Sequence, residues 1–135
     1  MNLFHHVTFL IQFGAMTSDS TDTATVTIEA CPIGTTTDGD EAAIAFSYRL
    51  SSAVATDSMG AITAATATGV AVTATDDSKL LIVDVDAEAV AAAVSNTGRF
   101  VRAFITTNAE MASCLVGAIA VLEPRYPQNT GASST

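Results

Sequence analysis

The chain has 135 residues, 49% of them hydrophobic and only 14% charged, with five basic against fourteen acidic side chains and a formal charge of −9. That length suits one domain with a real core, and so apolar a composition lies outside the regime of intrinsic disorder. Arg49, Lys79, Arg99, Arg102 and Arg125 form no basic cluster that could neutralise phosphates, which excludes nucleic acid and anionic membrane surfaces as partners.

At the N-terminus, residues 1–18 carry no Lys, Arg, Asp or Glu. They lack the basic stretch of a signal peptide, and Gln12 and the His5–His6 pair interrupt the apolar run. The run is also too short and too polar to cross a bilayer. It reads instead as a β segment over 3–13, with Val7, Phe9, Ile11 and Phe13 on one face and Thr8, Leu10 and Gln12 on the other. A second alternation sets Val26, Ile28 and Ala30 against Thr25, Thr27 and Glu29. A turn-rich connection containing Asp38-Gly39 follows. The clearest alternation comes next, with Ile44, Phe46, Tyr48 and Leu50 opposite Ala45, Ser47 and Arg49.

Further strands are expected over 69–74, 79–86, 99–106 and 113–122, the second of them turning Leu81, Val83 and Val85 inward. The chain holds 25 Ala and 20 Thr, and much of the Ala lies in Thr-interleaved runs such as 61–75, which favours strand or extended loop over helix. One helix is expected at 87–94, with Asp86 as its N-cap and Glu88 in its first turn. In 116–122 both faces are apolar, which suits a central strand or an edge covered by another subunit. The expected fold is all-β: an antiparallel, jelly-roll-like β-sandwich of about seven strands with one short helix. Residues 1–123 form the single domain. Residues 124–135, with two prolines and then small polar side chains, form an extended C-terminal arm.

Catalytic constellations are missing. No G-x-S-x-G, H-E-x-x-H, P-loop or G-x-G-x-x-G motif occurs, and His5 and His6 are the only histidines. Adjacent strand residues point to opposite faces, so that pair cannot chelate one metal; one is expected to pack or meet a partner subunit while the other is solvated. The acidic clusters at 38–41 and 84–88 do not fit an EF-hand and read as solvated turns. No catalytic residue, cofactor or metal site is expected. Cys31 and Cys114 read as small hydrophobes in facing strands, or as a disulfide in an oxidising compartment. Arg99 and Arg102 lie on opposite strand faces, one placed to pair with an acid of its own sheet such as Asp84, the other to reach a partner.

Five runs in order carry a resemblance: AIAFSYR at 43–49, DSMGA at 57–61, LIVDVDA at 81–87, GRFVRA at 98–103 and VGAIAVL at 116–122. Together they resemble small head proteins of tailed bacteriophages, often encoded beside the major capsid protein, that decorate or cement the capsid. The resemblance covers residues 25–126. Members often carry an aromatic near position 59, where this chain has Met59, a departure that bears on packing because the family has no catalytic residues. The resemblance implies a non-enzymatic virion protein on the outer face of the phage head, bound to the major capsid protein as a homo-oligomer, with a trimer favoured by capsid symmetry. A neck or tail component and a secreted binding module are the alternatives. A charge-poor surface hidden against neighbours fits such a shell. His5, His6, Phe9, Arg102, Arg125 and Tyr126 are the residues expected at the subunit or capsid interface.

Overall fold

The computed structural model describes residues 4–17, 23–32, 41–54, 56, 58–94, 100–108 and 113–124. Nine strands and one α-helix occur among them: β1 (Phe4–Thr17), β2 (Thr23–Cys31), β3 (Ala42–Ile44), β4 (Phe46–Leu50), β5 (Thr63–Ala65), β6 (Val70–Thr73), β7 (Leu80–Asp86), α1 (Ala87–Ala93), β8 (Phe100–Thr107) and β9 (Ser113–Pro124). They form two antiparallel sheets, and the fold is an all-β sandwich.

The first sheet runs β5-β4-β7-β1-β9. In the second, β2 is central. Strand β8 accompanies it from residue 24 to residue 31 on one flank, so β3 and β6 share the other, beside residues 28–30 and 23–26 respectively. Period-two patterning makes the core. Val7, Phe9, Ile11 and Phe13 of β1 and Leu81, Val83 and Val85 of β7 face Ala24, Val26, Ile28 and Ala30 of β2, all in one buried cluster. A buried Val, Leu or Phe stabilises the fold by about 1.5–3 kcal/mol relative to exposure, so this cluster is the main force holding the sheets together.

Two details depart from the sequence expectation of about seven strands. The run 42–50 has unbroken alternation, yet it serves both sheets. Ile44 pairs with Ile28 in one, and from Phe46 onward the chain pairs with β5 and β7 in the other. The switch falls at Ala45, as at the corners of sandwiches where a strand passes between sheets. Within 61–75, the Thr- and Ala-rich chain supplies the short β5, then β6, then a 3-10 turn at Ala74–Asp76. Gly69 sits between those strands with φ +87°, and an added Cβ would collide with the Val26 carbonyl oxygen. Only glycine fits there.

The expected helix is present one residue shorter, at Ala87–Ala93. Its two buried residues, Ala87 and Val90, turn inward, and it packs on β1 and β7 of one sheet and on β2 and β3 of the other. A seven-residue helix is unstable alone; contact with both sheets holds it. Asp86 occupies the N-cap position without capping, because its carboxylate is engaged by His6. No described helix is long and apolar enough to cross a membrane.

Candidate interaction surface

Strand β9 is the edge of the five-stranded sheet, and among the described residues it pairs only with β1. Opposite residues of an antiparallel pair point to the same face. Val7, Phe9, Ile11 and Phe13 therefore place Leu122, Ala120, Ala118 and Val116 on the core side of the sheet. All four are exposed, Val116 by 38% and Leu122 by 44%, so the second sheet does not reach across them. The outer side is apolar as well, with Ile119 64% and Val121 53% exposed, and Leu115 is 79% exposed. Ile119 continues a row across three strands, since Leu10 is paired with Ile82 on one side and with Ile119 on the other. Residues 113–122 include no charged side chain and no proline. Edge strands ordinarily carry charges, proline or a bulge to prevent pairing with other chains. Here the bulges fall near the two ends of the strand pair, between Phe4 and His6 and between Phe13 and Met16.

The sequence left β9 as either a central strand or a covered edge, and the structure places it at the edge. Its lack of charge did not signal that position, since edges ordinarily carry charge.

The residues singled out for an interface are scattered. His5 is exposed, its Nε2 3.5 Å from Glu123 of β9. His6 turns to the outer face, with Nδ1 3.0 Å from Asp86 Oδ1 and Nε2 3.3 Å from Asp84 Oδ1. Thr8 donates to that same Asp84 oxygen at 2.8 Å. The Asp86 hydrogen bond, opposed by partial burial and reinforced by Asp84, raises the His6 pKa above its ordinary 6.5. A carboxylate within hydrogen-bonding distance of each ring nitrogen favours the protonated imidazole.

Phe9 is a correction. It is 8% exposed and lies in the core cluster, because the alternation that buries Val7 and Ile11 turns Phe9 the same way. Arg102 does not reach Asp84, which belongs to β7 in the other sheet. It pairs across the β2–β8 rung with Glu29, Nε to Oε2 at 2.6 Å, and with Glu41 at 3.5 Å. Its guanidinium also lies 5.5 Å from the centre of the Phe104 ring. The expected cross-strand pair is present with a different acid. Phe100 and Phe104, exposed on the same face of β8, flank it. Arg99, Arg125, Tyr126, the Asp38-Gly39 turn and nearly all of the C-terminal arm lie outside the described residues.

Cys31 is buried at the end of β2, and Cys114 is half-buried near the start of β9, where burial pushes its thiol pKa up. Among the described residues no group of three His, Cys, Asp or Glu side chains is arranged to hold a metal ion. The surface thus offers apolar area and open backbone at β9, while His6 and Arg102 are engaged in ion pairs within the fold. No protein-family model, curated protein or solved structure matches the chain.

Proposed function

We propose that the chain is a non-enzymatic structural subunit of a tailed-phage head, decorating its outer surface and bridging capsomers of the major capsid protein. The observation that carries the assembly part of this reading is β9: a twelve-residue edge strand, apolar on both faces, in an otherwise acidic molecule. Such an edge is a liability to an isolated monomer and an asset to a subunit that is covered once assembled. The placement on a phage head rests on the sequence resemblance over 25–126. The ion pairs that engage His6 and Arg102 within the fold favour a structural role for those two side chains.

Imaging native particles by electron cryomicroscopy tests the reading. Stoichiometric copies on the outer shell, with earlier heat rupture of heads lacking the chain, are the expected result. A single ring at the vertex would make it a neck or tail component, and absence from the particle would end the virion reading.

A further inference from the structure

We infer that the occupant of the β9 edge is a second copy of this chain, paired antiparallel through β9 about a two-fold axis perpendicular to the sheet. The inference rests on the reading of β9 as an assembly edge and names what covers it.

Symmetry makes a second copy fit. A two-fold axis perpendicular to a sheet keeps each face on its own side, so an antiparallel β9–β9 pair joins core side to core side and outer side to outer side. Val116 and Leu122 then meet the same residues of the partner copy beyond the rim of the second sheet, and the row Ile82, Leu10, Ile119 continues into its symmetry mate. The five-stranded sheet becomes ten-stranded and its open edge disappears.

Charge points the same way. Two copies each carrying −9 repel, and they approach with least cost where charge is absent. Residues 113–122 are such a place and carry the larger exposed side chains of the two sheet edges, and Glu123 just beyond them lies beside His5. A basic partner would be recognised by acidic side chains, and these ten residues offer none. Apolar area is also present at this edge. The five large exposed side chains of β9 present on the order of 500 Å² per copy, of which an edge-to-edge pair covers the part beside the strand, and the backbone hydrogen bonds of the new rungs add to it. The result is a two-fold pair in place of the trimer suggested by capsid symmetry.

Sedimentation of the purified full chain tests this. The expected species has twice the 13.8 kDa chain mass. Ile119→Lys and Val121→Lys, at sites more than half exposed, should yield monomers with unchanged circular dichroism and melting of the fold. Ile62→Lys, equally exposed but beside β5 at the far edge of the same sheet, should leave the pair intact. A wild-type chain that stays monomeric, a trimer, or a pair broken by Phe104→Lys but not by Ile119→Lys overturns the inference. Binding of a monomeric chain to phage heads would overturn the β9 pair alone and leave the shell-subunit reading standing.

Discussion

Strands β1 and β9 run side by side, are similarly apolar and share a hydrogen-bonded register, yet one is core and the other surface. On the rung Phe13–Val116, Phe13 is 0% exposed and Val116 38%; on the rung Val7–Leu122 the values are 1% and 44%. Side-chain chemistry does not separate the members of either rung. What separates them is the reach of the second sheet, which covers β1 and stops short of β9. Burial is thus a property of what lies opposite a residue, and an apolar strand left uncovered marks where the fold alone is incomplete.

The largest effect should come from breaking the covered half of one rung. Phe13→Ala removes a ring from the closed core and is expected to destabilise the fold by about 3–5 kcal/mol, whereas Val116→Ala on the same rung should cost under about 1 kcal/mol in the monomer. Urea denaturation of both variants at concentrations that keep the chain monomeric measures the contrast. Equal losses would mean that β9 is covered in the monomer after all.

Next in size is Gly69→Ala, which strikes the covered second sheet through its backbone. The positive φ and the collision with the Val26 carbonyl should lower stability by about 2 kcal/mol, visible as a lower melting temperature without a change in oligomeric state. Ser51→Ala probes the junction of β4 with β7. The Leu80 N–H donates to the buried Ser51 hydroxyl at 3.1 Å, and loss of that acceptor should cost about 1–2 kcal/mol by denaturant titration.

The smallest effect belongs to the solvated outer face. The His6 pKa is raised in the folded state, so its ion pairs with Asp86 and Asp84 stabilise fully below about pH 6.5, the unfolded value, and fade as pH rises through the folded one. Partial exposure limits this contribution to under about 1 kcal/mol. A His6→Gln chain should lose that pH dependence near neutrality, as read from melting temperatures between pH 5 and pH 8. An unchanged slope would show that the outer-face pairs contribute nothing to holding β1 against β7.

Much of the fold was legible because period two is a local signal. Val26, Ile28 and Ala30 are buried as their alternation requires, and so are Leu81, Val83 and Val85. The helix at Ala87–Ala93 followed from a small-residue run after Asp86 and was off by one residue. Less was legible where a choice depended on distant neighbours. Arg102 had several acids to choose from, and the β2–β8 register gave it Glu29 in place of Asp84. Phe9 was expected at an interface, although its own alternation put it with Val7 and Ile11 in the core. The split of 42–50 at Ala45 left no mark, since Ile44 and Phe46 are buried on both sides of the switch.

By itself, then, the sequence determined an all-β sandwich with one short helix, the inward face of most strands, and an acidic chain whose stretch 113–122 is free of charge. Those properties are written in neighbouring side chains, because pleating and helical turn act over a few residues. Only the tertiary structure decided that this charge-free stretch is an edge, and that one sheet overhangs the other there. Strand order and sheet overlap arise from pairings between residues about a hundred positions apart, such as Leu10 with Ile119, which no local pattern encodes.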